Sequence, residues 1–157
     1  MKNKIIYLVC FIAILAGGVY LLLQYNTGIS GDETISCQSQ NTVIHDDFRL
    51  NANYVFTLSK NKGEISISGL ATEGEKQYQI SRAIYFSYNK SDSIYVLQSH
   101  NIENFSPDES QGSNVNHHLP AFFYEPEKNL TIKIQEDRYH NKIISLYNIP
   151  IFYCRDK

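Results

Sequence analysis

The sequence predicts a mainly β protein: an N-terminal transmembrane helix followed by an antiparallel β-barrel or sandwich. Three observations carry that expectation. Ile5 to Leu23 runs 19 residues without a charge or a proline. Beyond it, apolar and polar residues alternate with period two in one segment after another, with turn-rich stretches of hairpin length between them. No stretch after residue 33 sustains the 3.6-residue apolar period of an amphipathic helix.

The apolar span comes first. At about 1.5 Å of rise per residue, a helix of this length approaches the ~30 Å hydrocarbon core of a bilayer. It is longer than the roughly 7–15 apolar residues of a cleaved signal. Gly28 and Ser30 nevertheless have the small-x-small spacing of a cleavage site, so a cleaved signal is the alternative. Lys2 and Lys4 precede the span and the next basic residue is Arg49. The positive-inside rule then leaves residues 1–4 as a cytoplasmic stub and carries the rest across. The expectation is a single-pass inner-membrane protein with a periplasmic C-terminal domain. Removing Lys2 and Lys4 from the 14 basic residues leaves 12 against 16 acidic ones, a net charge of −4 with His neutral. There is no basic stripe, so nucleic acid is not an expected partner.

Residues 24–33 (QYNTGISGDE) read as a linker, and 34–157 as the folded domain. LNANYVFTLSK alternates Leu50, Tyr54, Phe56 and Leu58 with smaller or polar residues. The turn Asn61 to Gly63 leads into EISISGLA, a good hairpin signal. A turn around Gly74 follows, then KQYQISRAIYFSY, which sets Tyr78, Ile80, Ile84, Phe86 and Tyr88 on one face. NKSDS turns into IYVLQSHNI; LTIKIQE alternates Leu130, Ile132 and Ile134; KIISLYNIPIFYC ends the pattern as one or two short strands. Seven or eight strands of this kind suit a barrel or a sandwich. The exception is Glu103 to Glu127, a long loop with Pro107 and Gly112 that runs into the cluster Leu119–Tyr124 and a helical turn. A loop of that length is uncommon without a role as a lid or contact surface.

The chain has three cysteines. Cys10 lies in the apolar span and reads as a packed membrane thiol. Cys37 and Cys154 bracket the exported domain, in a compartment where disulfides persist, so a Cys37–Cys154 bridge is expected; two buried free thiols are the alternative.

Few residues suggest chemistry. His117-His118 cannot chelate from adjacent positions, and no ligand stands at the i+2 or i+4 spacing. His45-Asp46-Asp47 reads as a turn, since no activated serine context accompanies it. Phosphate-loop and dinucleotide fingerprints are absent, and no metal, cofactor or enzymatic activity is expected. Arg82 alone breaks a pattern, standing in the middle of the apolar face of its strand. Inside a small barrel it must be paired, or meet the acid group of a ligand whose body packs on Ile80, Ile84 and Phe86. A bile salt or fatty acid has that chemistry. A local bulge, or a barrel-mouth position from which the guanidinium reaches water, is the structural alternative.

A basic stub with a short apolar span, an early cysteine, the stretches YQISRAIYFSY and LPAFFYE, and the ending NIPIFYC together resemble the FidL-like membrane proteins of enteric bacteria. The resemblance runs over essentially the whole chain, and Asn148, Ile149, Pro150 and Cys154 are its most specific part. It implies an accessory subunit of the ToxS type, with a lipocalin-like periplasmic β-barrel. Its partner would be a membrane-spanning transcription regulator with a cytoplasmic winged-helix domain, and some such pairs respond to bile-type amphiphiles. The family has no established activity, so no catalytic residue carries over. The expected function is therefore a non-enzymatic sensor or stabiliser for such a regulator. A stand-alone periplasmic binding or envelope-maintenance protein is the alternative.

Overall fold

The computed structural model describes residues 14–20, 34–111 and 113–156. The chain divides into two compact units, Met1–Asp32 and Glu33–Lys157. In the first, residues 14–20 are helical and exposed. No helix among the described residues is long and apolar enough to cross a membrane. Most of the expected span Ile5–Leu23 lies outside those residues, as do the stub 1–4, Cys10 and the linker 24–33 with its Gly28 and Ser30.

The second unit is a closed antiparallel barrel of eight strands in sequence order. They are β1 (Ile35–His45), β2 (Phe48–Ser59), β3 (Lys62–Glu73), β4 (Lys76–Ser91), β5 (Ile94–Asn104), β6 (Asn129–Glu136), β7 (Lys142–Leu146) and β8 (Ile149–Asp156). This decides for the barrel over the sandwich. Two-residue turns join the early strands, and Asp46, Lys60, Asn61 and Asp92 in them all have positive φ. Short polar residues and Gly74 (φ 59°) absorb that conformation most readily.

Strand alternation closes the core. On β4, Ile80, Arg82, Ile84, Phe86 and Tyr88 point inward and are buried. Facing them are Leu50, Tyr54, Phe56 and Leu58 of β2, and Ile65 and Ile67 of β3. A bulge falls between Tyr85 and Phe86 against β5, with His100 as the extra residue, so it does not account for Arg82.

The two ends of the barrel differ. Strands β1 to β4 extend to the end formed by the β1–β2 and β3–β4 turns, while β5 ends at Asn104 opposite Arg82. There β6 stops short, starting only at Asn129 opposite Gln98. The segment between β5 and β6 fills the space with two single turns of 3₁₀ helix, η1 (Val115–His118) and η2 (Ala121–Phe123). Val115, Leu119, Phe122 and Phe123 are buried there, and Phe122 meets Phe86 edge-on at 5.8 Å between ring centres. The expected long loop with a helical turn is thus a plug, held by apolar burial. At the other end, an open cavity of about 220 Å3 is lined by residues that include Ile35, Lys90, Tyr95, Ile134 and Lys142.

Candidate functional site

Arg82 is a buried charge, with its side chain 1% exposed. It survives there because the loop supplies an acceptor to each of its five N–H groups. Nε donates to Asp108 Oδ2 at 3.0 Å, and Nη2 donates to Asp108 Oδ1 at 3.3 Å and to the Ser110 hydroxyl. Nη1 donates to Asn116 Oδ1 at 3.1 Å and to the Phe123 carbonyl at 3.2 Å. The Asp108 carboxylate also accepts the backbone N–H groups of Ser81 and Ser110, each at 3.0 Å. Burial pushes its carboxyl up, but the hydrogen bonds from Ser110, from Arg82 and from those two N–H groups outweigh burial and hold it below the ordinary value. Backbone bonds add to the hold: Phe105 N–H donates to Ser81 O and Glu109 N–H to Gln79 O.

The residues read from the sequence as a ligand contact are therefore together, with Ile80, Ile84 and Phe86 around Arg82 in the core. The protein itself occupies the places a ligand would take. Asp108 stands where an acid group would pair, and Phe122 lies on Phe86. An amphiphile bound at Arg82 would have to displace both. Asp108, Ser110 and Asn116 were not singled out from sequence, because they sit 26, 28 and 34 residues from Arg82 in a polar loop without periodicity.

Cys37 and Cys154 are bonded, with Cα atoms 5.4 Å apart and both residues fully buried. The bridge crosses the weakest seam of the barrel. There β1 and β8 pair only as Cys37↔Asp156 and Gln38↔Arg155. Continuing that register would set Ile44 opposite Ile149, yet among the described residues no further backbone pair forms. One side-chain bond spans the gap, from Asn41 Nδ2 to the Ile151 carbonyl at 3.2 Å. Local sequence explains the parting. The next inward positions of β1 after Cys37 are Ser39 and Asn41, too small or polar to hold an apolar strand. Phe152 instead packs on Tyr54 and Phe56 of β2, at 4.7 and 5.1 Å between ring centres. A bulge at Ile151 and the missing N–H of Pro150 further unfit β8 for a ladder. Outside the seam, Ile44, Ile149, Ile151 and Tyr153 are exposed, with Tyr147 beside them in the β7–β8 turn.

Among the described residues, no three His, Cys, Asp or Glu side chains form a metal cage. His117 is exposed, while its neighbour His118 meets His45 at the end of β1.

An eight-stranded up-and-down barrel, stopped at one end by its own loop and pinned along one seam by a disulfide, defines the class: a small antiparallel β-barrel domain. The chain belongs to the YqeJ C-terminal domain family, whose model matches residues 34–154. That match spans the barrel and both cysteines; it lends no support to the FidL-like and ToxS-type names that the strand motifs suggested. No curated protein and no solved structure matches the chain.

Proposed function

We propose that this protein is a non-enzymatic, membrane-anchored accessory subunit. Its barrel binds and stabilises the exported domain of a membrane-spanning winged-helix transcription regulator. The observation that carries the reading is the β1–β8 seam. From Ser39 to His45, β1 has a backbone edge that β8 does not pair. Such an edge accepts an extended strand from another chain, with main-chain bonds for affinity and neighbouring side chains for specificity. The outward row Ile44, Ile149, Ile151 and Tyr153 beside it suits an apolar partner strand better than water. A small-molecule role at Arg82 has less behind it, since all five donors are already engaged.

The test is co-purification from detergent-solubilised membranes. The wild-type protein is expected to bring down a regulator with a spanning helix and a cytoplasmic winged-helix domain. Ile151→Asp and Ile44→Asp, both at exposed positions, are expected to lose most of it while keeping their melting temperature. Recovery of no such regulator by the wild type, or equal recovery by both variants, would reject the reading.

A further inference from the structure

We propose that the open end of the barrel docks on an anionic phospholipid surface. Such docking uses the membrane-anchored part of the reading above and is independent of the regulator. Beyond Lys4 the chain has more acidic than basic residues, so a cationic surface on it has to be assembled by the fold. The meander does this at one end. Lys60 of the β2–β3 turn, Lys62 of β3, Lys90 of β4, Arg138 of the β6–β7 turn and Arg155 of β8 all come there, and all are exposed. Of the acids nearby, Glu136 is engaged by Lys142 and His140. Asp137 accepts from the Tyr153 hydroxyl and from the Tyr139 and Asn141 N–H groups. Asp92 and Asp156 offset part of the positive charge. At the plugged end the balance is reversed: Asp46, Asp47, Glu75 and Glu109 are exposed, against Arg49 and Lys76.

Two further features suit a bilayer. Lys60 holds a left-handed conformation (φ 51°) that glycine or asparagine adopts at lower cost, so the turn keeps a cation where its backbone favours another residue. In the β6–β7 turn, Tyr139 is 67% exposed, and the Arg138 guanidinium lies over its ring at 4.9 Å. A tyrosine with an arginine beside it fits the headgroup layer, where the ring meets the upper acyl chains and the cation a phosphate. The chain also reaches the barrel here, since β1 starts at Ile35 and β8 pairs Asp156 with Cys37. An anchor that precedes β1 would attach at the cationic end. Lysine and arginine held close to an anionic bilayer are attracted by its surface potential. Ile44 and Ile149, near the opposite end, stay clear for a partner.

The experiment uses the full-length protein in lipid nanodiscs of phosphatidylcholine, alone or mixed with phosphatidylglycerol. The chain has no tryptophan, so Tyr139→Trp supplies a single reporter at the open end, and Tyr147→Trp one at the plugged end. Brominated acyl chains are expected to quench the Tyr139→Trp reporter in the anionic discs, much less in the neutral ones, and to leave Tyr147→Trp unquenched. At about 1 M salt, where the screening length is about 3 Å, the quenching is expected to fall away. Lys60→Glu, Lys62→Glu and Arg138→Glu, all at exposed positions, are each expected to weaken the contact about fivefold or more at an unchanged melting temperature. Equal quenching in both kinds of disc, quenching indifferent to the three variants, or quenching as strong at Tyr147→Trp would overturn the docking. So would a Tyr139→Trp reporter that stays unquenched in anionic discs, which would leave the cations to an acidic protein surface instead.

Discussion

Asp108→Asn tests whether the plug is held by charge. The substitution keeps the shape of the side chain and removes its negative charge. In the native domain the two carboxylate oxygens accept from Arg82 Nε at 3.0 Å, from Arg82 Nη2 at 3.3 Å, and from the Ser81 and Ser110 N–H groups at 3.0 Å. An amide retains one oxygen, so its NH2 must face donors on one side or the other. Both charged side chains are 1% exposed, and water does not replace the missing acceptor. Leaving one member of such a pair uncompensated costs about 3–5 kcal/mol. At roughly 4 °C per kcal/mol for a domain of this size, the melting temperature should fall by about 12–20 °C. Adding Arg82→Met should restore part of the loss, because it removes the orphaned cation. The acid limb supplies a second reading. The Asp108 carboxyl is held below its ordinary value of 3.8 in the folded state. Its contribution is therefore present above about pH 4 and is lost as pH falls through the lowered folded value. Asp108→Asn should flatten that part of the stability profile. Thermal and urea unfolding followed by circular dichroism measure both effects. A loss below about 1 kcal/mol, with an acid limb like the wild type's, would refute the argument.

Two other expectations concern the barrel itself. The disulfide closes a segment of 117 residues, which the chain-entropy model values at about 4.9 kcal/mol. Cys154→Ser and Cys37→Ser should each cause a large drop in melting temperature and heighten protease sensitivity, and the double variant should be no worse than either; full stability in both singles would show that the seam holds without the bridge. Gly69 is the second position: a Cβ there would lie 2.3 Å from the Asn51 carbonyl oxygen and 2.6 Å from the Ala52 Cα, backbone atoms that cannot rotate away. Gly69→Ala should cost about 1–3 kcal/mol in urea unfolding, and a neutral result would mean that β2 and β3 separate there at little cost.

Much of the barrel was legible because strand alternation is local. The inward set Ile80, Ile84, Phe86 and Tyr88 follows from period two on β4, and the hairpins follow from polar turns between such runs. The Cys37–Cys154 bridge was legible for a related reason. In a sheet that closes on itself, the first and last strands are neighbours, and these cysteines lie near the two chain ends of the domain. The anomaly of Arg82 was legible too, but not its resolution. An arginine on an apolar face announces that something must pair with it, and nothing in the strand says whether that partner is a ligand or the protein.

The sequence by itself thus marked the strands, their inward faces and the turns, and pointed to the pairing of the cysteines, since each rests on residues a few positions apart or on the places of the first and last strands. Tertiary structure alone decided the rest. Asp108 reaches Arg82, and His118 reaches His45, only because β6 stops short and the intervening loop folds back over the barrel end. The seam opened because Phe152 found Tyr54 and Phe56 across a strand whose inward positions there are Ser39 and Asn41. Such contacts depend on which side chains share a volume, and a loop without periodicity carries no local signal of the volume it will fill.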